Sequence, residues 1–284
     1  MTACIIFNPD SDESRLHRIE TVLSLLYFRV DAIALAPEYK IREDFLGGKA
    51  FIAKDEQHAL VNSDVVICLG GDGTVIYTVH MLAKYDLLNK PVISINLGNV
   101  GFICPFSYED VLKGLDMDMD IQERSLLELK TGAARQPTAL NEIYIGKPDI
   151  ETTVLTFKIS FNDQVATFRG DGVILATSTG STAYNFSMGG PIISPERGAN
   201  LVCITPTGCI DASVKPIVMK LDPLNSLTIE TSEESCVQCD SRTIGYSKNH
   251  EVEASLESLF LKTPKSFNYF DLLEKKLGWG RLSK

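Results

Sequence analysis

Residues 64–74 read DVVICLGGDGT, an apolar run that ends in three glycines placed around one aspartate. The apolar run predicts a buried strand, and the glycines after it predict a tight turn into a helix. Such a turn leaves backbone N–H groups free to hold phosphate oxygens, but Asp72 is an anion placed among them. The arrangement therefore indicates a base that acts beside a phosphate rather than a ligand of the phosphate itself.

The first hundred residues alternate apolar runs with helical patterns. The strand candidates are the runs at 3–7, 30–34, 65–69 and 92–96, and helical periodicity is found near 13–27 and 74–85. This alternation predicts parallel strands covered by helices, a Rossmann-like α/β domain with a ligand at the carboxyl ends of its strands. Both the glycine turn and residues 96–102 (NLGNVGF) follow such strand ends.

After residue 116 the pattern changes to short segments rich in Val, Ile, Thr and Phe, separated by turn residues. Repeated strands without helices between them predict an antiparallel, sandwich-like, all-β C-terminal domain. We therefore expect an α/β domain at residues 1–105 and a β-rich domain at residues 106–262. Apolar residues at helical spacing near the end predict that residues 263–284 form a tail that docks on the N-terminal domain.

Composition limits the classes of partner. The 284-residue chain is 44% hydrophobic and has 27 Lys and Arg against 37 Asp and Glu, a net charge of −10. This acidic balance, without a basic cluster, argues against a nucleic-acid polymer as partner but is compatible with a small phosphorylated ligand and Mg²⁺. Because no apolar stretch approaches the roughly 20 residues that span a bilayer, and the seven cysteines resemble free buried thiols, we expect a cytoplasmic protein without membrane contact.

Phosphoryl transfer gives a physical reason for a carboxylate inside a glycine turn. The reaction needs positioning, charge neutralisation and a carboxylate that orients and deprotonates the attacking hydroxyl. Asp72 is therefore the candidate base, and the candidate phosphate-binding residues are Gly70, Gly71, Gly73 and Thr74. In the alternative, Asp72 or Thr74 only caps the helix. The chain has no GxxxxGK[ST] and no GxGxxG after either Gly-Asp-Gly, which excludes a Walker-type loop and an ordinary dinucleotide fingerprint.

Two further segments carry polar side chains suited to a nucleotide. In residues 169–187 (RGDGVILATSTGSTAYNFS) a second Gly-Asp-Gly precedes small hydroxyl residues, which could bond to a base or a ribose, and Tyr184, which could pack on a ring. Asn141-Glu142 suits ribose hydroxyls, although adjacent strand residues reach one ligand only at a bulge or a strand end. A polar hairpin and a surface edge strand are the corresponding structural alternatives.

Taken together, these segments closely resemble the NAD kinases. The motifs that match in order and spacing are GGDGT at 70–74, LGNVGF at 97–102, Asn141-Glu142 and GDGVILATSTGSTAYNFSMGGPI at 170–192, and YFDLLEKKLGWG at 269–280 is similar to the family's tail. The resemblance covers nearly the whole chain. Ser178 stands where the family usually has proline, Arg242 where it commonly has glutamine, and between residues 205 and 216 only the frame TP…KP is similar.

The resemblance implies phosphorylation of the 2′-hydroxyl of the adenosine ribose of NAD by ATP, which gives NADP, with Asp72 as the proton acceptor. It implies that Phe102 packs near the dinucleotide, that Asn141 and Glu142 hold ribose or base groups, and that Asp171 faces the nicotinamide end. The other NAD-binding residues implied are Gly73, Arg169, Thr179, Thr182, Ala183, Tyr184, Asn185 and Ser187. No metal ligand is assigned on the chain, since Mg²⁺ or another divalent cation would be carried with ATP, and the family implies a homodimer or homotetramer.

Two other functions stay open at this point. A lipid or sugar kinase of the wider group with glycine-aspartate turns would need an apolar groove or a sugar-phosphate site, whereas residues 177–184 offer hydroxyls and one aromatic ring. A catalytically silent nucleotide-binding sensor would need a broken catalytic position, whereas the four candidate positions are all present: Asp72, Asn141, Glu142 and Asp171. The sequence also leaves open the choice between NAD and NADH and between ATP and polyphosphate.

Overall fold

The structure is a computed structural model that describes residues 1–27, 29–39, 49–98, 101–114, 118–133, 136–195 and 200–280. The chain divides into two compact units, one formed by Met1–Gln122 with Leu259–Lys284 and the other by Glu123–Ser258. Within the described ranges, no helix has both the length and the apolar character needed to cross a membrane.

The strands, in chain order, are β1 (Thr2–Phe7), β2 (Ala32–Leu35), β3 (Ala50–Ile52), β4 (Val65–Gly70), β5 (Pro91–Asn96), β6 (Phe106–Ser107), β7 (Met119–Leu129), β8 (Thr138–Ala139), β9 (Glu142–Gly146), β10 (Leu155–Phe161), β11 (Gln164–Gly170), β12 (Gly172–Thr177), β13 (Leu201–Thr207), β14 (Ile217–Lys220), β15 (Leu227–Cys239) and β16 (Arg242–Pro264). The helices are α1 (Glu13–Leu26), α2 (Glu56–Val61), α3 (Asp72–Tyr85), α4 (Tyr108–Leu112), α5 (Tyr184–Ser187) and α6 (Tyr269–Leu277), and a 3₁₀ helix covers Gly180–Thr182.

The first unit contains a parallel sheet, as the alternating pattern predicts. Its strand order is β3-β2-β1-β4-β5, every one of these pairs is parallel, and the end of β16 adds a parallel strand beside β5. The order reverses between β1 and β4, so the carboxyl ends of these two strands flank a topological switch point, where ligands bind in α/β sheets. The predicted α/β class is confirmed, and β3 is a short strand that the pattern did not predict.

Helix α1 shows how the sequence forms and buries the elements of this unit. Asp12 caps its N-terminus by accepting a hydrogen bond from the backbone N–H of Arg15 at 2.9 Å. Its buried residues, Ile19, Val22, Leu23 and Leu26, recur at helical spacing and belong to the same apolar cluster as residues of β1, β4 and β5. One layer of the core of the first unit therefore lies between α1 and this face of the sheet.

The second unit is rich in antiparallel strands, which confirms the predicted strand-rich C-terminal part. Neighbours in the order β14-β13-β12-β9-β15-β16 pair antiparallel, and the β10–β11 hairpin pairs with β15. Phe157, Leu175 and Ile229 belong to its main apolar cluster and are fully buried. One departure from the predicted run of strands is the pair of short helices, Gly180–Thr182 and α5, between β12 and β13.

The first unit continues past residue 105 to Gln122 and includes the segment from Leu259 onward. Strand β6 pairs with β5 through Phe106 and Ile95, and α4 begins at a capping box formed by Ser107 and Asp110. At the other end, Phe260 of β16 pairs with Pro91 of β5. Periodicity indicates that these segments are strands and helices, but the partner of each strand is set by pairing over long sequence distances.

Candidate active site

The glycine turn joins the central strand β4 to helix α3. Strand β4 ends at Gly70, Gly71 is the N-cap, and α3 begins at Asp72. Gly71 provides no side-chain cap, so the first turn of the helix depends on other acceptors for its N–H groups. A Cβ at Gly70 would lie 2.1 Å from Oγ1 of Thr74, which explains the first glycine by close packing inside the turn.

The carboxylate of Asp72 does not cap its own helix. Oδ2 accepts a hydrogen bond from the backbone N–H of Phe102 at 2.8 Å, and Oδ1 accepts one from that of Ile103 at 3.1 Å. A Cβ at Gly101 would lie 1.9 Å from Oδ1, so only glycine leaves room for the carboxylate there. The alternative in which Asp72 caps the helix is therefore wrong, and the side chain is oriented by a loop about thirty residues away.

The thiol of Cys104 lies in the same environment. Burial, and then the negative charge of Asp72, raises the pKa of Cys104 well above its usual value. The thiol therefore stays protonated at neutral pH and is a poor nucleophile.

A cavity of about 690 Å³ opens at the switch point of the first unit. It is lined by residues that follow four neighbouring strands and by the start of α3: Phe7, Asn8, Pro9, Ser11, Arg15, Glu38, Tyr39, Leu69, Gly70, Gly71, Gly73, Thr74, Tyr77, Asn96, Leu97 and Gly98. An added Cβ at Gly71 or Gly73 would meet nothing within 4 Å. These two glycines are therefore not required by packing, and a side chain at either would enter open space beside the turn.

The second unit places Asn141 and Glu142 at the start of β9. Asn141 precedes the strand and Glu142 is its first residue, so the pair lies at a strand end, the arrangement that lets both reach one ligand. The backbone N–H groups of Leu140, Asn141 and Glu142 donate to the Asp240 carboxylate at 2.8, 2.7 and 3.2 Å. Asp240 has a positive φ of 46° at the turn between β15 and β16. Sequence reasoning did not assign Asp240 a role, although it noted the nearby Arg242.

Glu142 is an acid buried beside a second cavity. The residue is 5% exposed and its Oε2 has no hydrogen-bond partner among the described residues. Burial, and then the charge of Asp240, raises the pKa of Glu142 to about 7, while a hydrogen bond from the backbone of Tyr184 lowers it. The cavity, of about 460 Å³, is lined by Glu142, Tyr144, Tyr184, Gln238 and Ser241. Its polar and aromatic lining suits a ring that bears hydroxyl or amino groups.

Two tyrosines form the aromatic wall of this second cavity. The rings of Tyr144 and Tyr184 meet edge to face, with centroids 5.9 Å apart and an interplanar angle of 62°. Tyr184 is 42% exposed, so its ring is open to a ligand. A planar base can pack on such a ring, as the sequence predicts for Tyr184.

Asp171 and Arg169 lie at the junction of β11 and β12. Oδ1 of Asp171 is 2.9 Å from Nζ of Lys147, an ion pair that the sequence did not predict. Arg169 is exposed on β11, opposite Thr156 in the hairpin.

In the first unit, Phe102 is half-buried with Nζ of Lys276 5.8 Å from its ring centroid. Asp171, Arg169 and Phe102 therefore each keep some exposed surface.

The segment 177–187 contains both buried and exposed side chains. Asn185 is fully buried, its Nδ2 donates to the carbonyl oxygens of Ser181 and Pro191 at 3.1 Å, and its Oδ1 accepts from Thr205. Thr179 is buried with no partner for Oγ1 among the described residues, and Thr182 is half-buried. Ala183 is half-buried and Ser187 is exposed. Asn185 therefore shapes the loop from inside, whereas the other predicted residues of the segment include accessible ones.

Two family models cover the chain. The model described as the ATP-NAD kinase N-terminal domain matches residues 4–121, and that described as the ATP-NAD kinase C-terminal domain matches residues 140–256. The chain belongs to the NAD kinase family. The resemblance found in the motifs is thereby confirmed.

Relatives in the NAD kinase family extend this result over most of the chain. The NAD kinase of Fusobacterium nucleatum is 32% identical over 272 residues, which cover 91% of this chain and 97% of the relative. That of Chlorobium phaeobacteroides is 37% identical over 233 residues, 78% of this chain and 79% of the relative. The match therefore includes both units.

Solved structures show the same fold. A yeast NADH kinase complexed with NADH has a TM-score of 0.84 at 22% identity, covering 100% of this chain and 89% of the other. An Archaeoglobus fulgidus NAD kinase in complex with ATP has a TM-score of 0.73 at 20% identity, covering 97% of this chain and 98% of the other. At these identities the likeness concerns the fold alone.

Proposed function

We propose that this chain transfers the γ-phosphoryl group of ATP to the 2′-hydroxyl of the adenosine ribose of NAD, giving NADP and ADP. The observation that carries the proposal is the Asp72 carboxylate, held by the backbone N–H groups of Phe102 and Ile103 directly after the glycine turn. Membership of the NAD kinase family supports the choice of substrates. A fixed carboxylate beside a phosphate-binding turn is what an in-line attack by a hydroxyl requires.

Asp72 is the proposed proton acceptor. Each of its oxygens accepts one N–H, which leaves lone pairs on both for the proton of the 2′-hydroxyl. As that proton moves to Asp72, the 2′-oxygen bonds to the γ-phosphorus and the bond from phosphorus to the β–γ bridging oxygen breaks. The backbone N–H donors are part of the folded protein and are in place before the substrate binds. They therefore hold the carboxylate in one orientation during the transfer.

We propose that the cavity at the switch point takes the phosphates of ATP. The open positions Gly71 and Gly73 let phosphate oxygens approach the start of α3, and Gly70 and Thr74 form the packed base of the turn. The positive end of the helix dipole favours an anion at this position. The triphosphate brings its own divalent cation, for which we propose Mg²⁺. Among the described residues no group of three or more His, Cys, Asp or Glu side chains could hold a metal ion.

We propose the following residues as contacts to NAD. Glu142 and Asn141 would accept or donate hydrogen bonds to ribose hydroxyls or base groups, Tyr184 would pack on the adenine, and Asp171 would face the nicotinamide end. The other proposed contacts are Gly73, Phe102, Arg169, Thr179, Thr182, Ala183 and Ser187. For Asn185 we propose an indirect role, because its polar atoms are already used inside the loop.

The function is tested with the purified chain, Mg-ATP and NAD, followed by an NADP-specific dehydrogenase that reports the product. We expect NADP to form, and we expect the Asp72→Asn variant to form far less. Absence of NADP together with phosphorylation of a lipid or a sugar would identify a lipid or sugar kinase with a related glycine-aspartate turn. Absence of any phosphorylation together with tight nucleotide binding would identify a silent sensor. We further propose that the protein is cytoplasmic and forms a homodimer or homotetramer. Light scattering after gel filtration measures the oligomeric state.

A further inference from the structure

We propose that Asn96 binds the donor nucleotide by donating a hydrogen bond from Nδ2 to an oxygen of its triphosphate. The inference rests on the proposed phosphoryl transfer from ATP. It adds to the glycine turn a neutral hydrogen-bond donor from the neighbouring strand β5.

The sheet register places Asn96 beside the glycine turn. Asn96 is the last residue of β5 and lies opposite Gly70, the last residue of β4, in the parallel pairing of the two strands. The backbone N–H of Leu97 donates to the carbonyl oxygen of Gly70 at 3.1 Å, so the pairing continues past the end of both strands. Asn96 and Gly70 both line the cavity of about 690 Å³. The position of Asn96 is therefore fixed by the same strands that fix the turn.

The side-chain amide of Asn96 has a hydrogen-bond partner for its oxygen but none, among the described residues, for its nitrogen. Asn96 is 3% exposed, and its Oδ1 accepts a hydrogen bond from the backbone N–H of Gly98 at 2.8 Å. That contact identifies the oxygen, because a backbone N–H requires an acceptor. Nδ2 is buried and has no hydrogen-bond partner among the described residues. A buried donor without a partner is destabilising, and an acceptor placed in the cavity removes that cost.

The surroundings favour an anionic acceptor. Helix α3 is fourteen residues long and begins at the cavity, with Gly71 as an N-cap that supplies no side-chain acceptor. The positive end of its dipole therefore faces the same space as Asn96. Among the described residues, the charged side chains that line the cavity are Arg15 and Glu38. The charges of these two side chains balance, so neutral donors such as Asn96 and the backbone N–H groups can add to the attraction for a phosphate chain.

Two variants separate the donor role of Asn96 from its structural role. Asn96→Asp retains the size of the side chain and an acceptor for the N–H of Gly98, but it replaces the NH₂ group by an anionic oxygen. Asn96→Ser stays neutral and has a hydroxyl too short to replace Nδ2. Titration calorimetry of the full chain measures binding of Mg-ATP and of NAD separately. We expect both variants to bind Mg-ATP about ten- to a hundredfold more weakly, the loss typical of a hydrogen bond to a charged group, and to bind NAD within about twofold of the parent.

Asn89→Asp is the matched control. Asn89 lies in an exposed turn and does not line the cavity, so the same change of charge there should leave Mg-ATP binding unchanged. Thermal melts show that each variant is folded, and Asn96→Ser tests the donor role if the carboxylate of Asn96→Asp destabilises the strand end. Unchanged Mg-ATP affinity in a folded Asn96 variant, an equal loss of NAD affinity, or an equal loss in Asn89→Asp would overturn the inference.

The outcomes also distinguish this inference from the proposed function. A parent protein that makes NADP, with Mg-ATP affinity independent of Asn96, refutes the role of Asn96 and leaves the proposed function standing. If the parent makes no NADP and both Asn96 variants bind Mg-ATP more weakly than the parent, the proposed reaction is refuted and the role of Asn96 in binding phosphate is supported.

Discussion

Gly101 lies directly against the carboxylate of Asp72, so that a Cβ added at Gly101 would approach Oδ1 to 1.9 Å. The next two residues along the chain donate their backbone N–H groups to the same carboxylate. A glycine about thirty residues away from the proposed base thus lets a loop close around it. The orientation of Asp72 depends on this loop as much as on helix α3.

Gly101→Ala should reduce NADP formation by about a hundredfold or more. The new methyl group would displace the carboxylate or the two N–H donors, and a shift of about 1 Å in a reacting group costs about that much rate. NADP formation under saturating substrates measures the effect. Gly245→Ala is the control, because a Cβ there meets nothing within 4 Å. A Gly101→Ala protein with the turnover of the parent would show that the orientation of Asp72 does not matter for the reaction.

Asp72→Asn should lower turnover by about a hundred- to ten-thousandfold, the usual contribution of a general base. The amide oxygen still accepts one of the two backbone N–H groups, so the fold and most of the NAD affinity should remain. Steady-state turnover and NAD binding are measured on the same preparation. Equal turnover in variant and parent refutes the assignment of Asp72 as the base.

Glu142 should make stability depend on pH. The pKa of Glu142 is about 7 in the folded chain, because of burial and then of Asp240, against about 4.3 for an unfolded glutamate. Between these values the folded chain keeps a proton that the unfolded chain has lost. The free energy of unfolding should therefore fall as pH rises from about 4 to 8, by about 4 kcal/mol in all, with no further change from this group once the pH is well above the folded pKa.

Glu142→Gln tests this pH dependence because the amide cannot ionise. The variant should lack this part of the decline. The free energy of unfolding of Glu142→Gln, measured relative to that of the parent, should therefore be higher at pH 8 than at pH 5. Urea unfolding at both pH values measures the difference, and Glu234→Gln, at an exposed position, is the control. Parallel pH curves for parent and Glu142→Gln would contradict the raised pKa.

Gly73→Ala should separate ligand binding from folding. A Cβ at Gly73 meets nothing within 4 Å, and alanine favours a helix over glycine by about 0.5–1 kcal/mol, so the thermal midpoint should stay or rise slightly. The methyl group enters the space proposed for phosphate, so Mg-ATP affinity should fall.

Gly70→Ala should behave in the opposite way. Its Cβ would lie 2.1 Å from Oγ1 of Thr74, so the variant should melt earlier than the parent. Thermal melts and Mg-ATP titrations of both variants test the pair. Undiminished Mg-ATP affinity in Gly73→Ala would place the phosphates elsewhere.

The amino-acid sequence predicted the α/β and β-rich parts and the glycine turn with Asp72 in it. These features are local, since periodicity, turn residues and the end of an apolar run are encoded within about ten neighbouring residues. The family resemblance drew on the same local motifs. It named accessible residues such as Tyr184 together with Asn185, whose polar groups are used inside the protein.

Only the tertiary structure determined the contacts between residues far apart in the chain. Asp72 is oriented by Phe102 and Ile103, and the start of β9 is held by Asp240, about a hundred residues away. The buried, unpartnered amide of Asn96 likewise depends on the pairing of β5 with β4. Sheet register and loop closure bring these groups together, and neither is contained in the pattern of any single segment. The sequence by itself therefore determined which chemical groups are present, and the packing of the strands determined which of them are oriented, buried or left open.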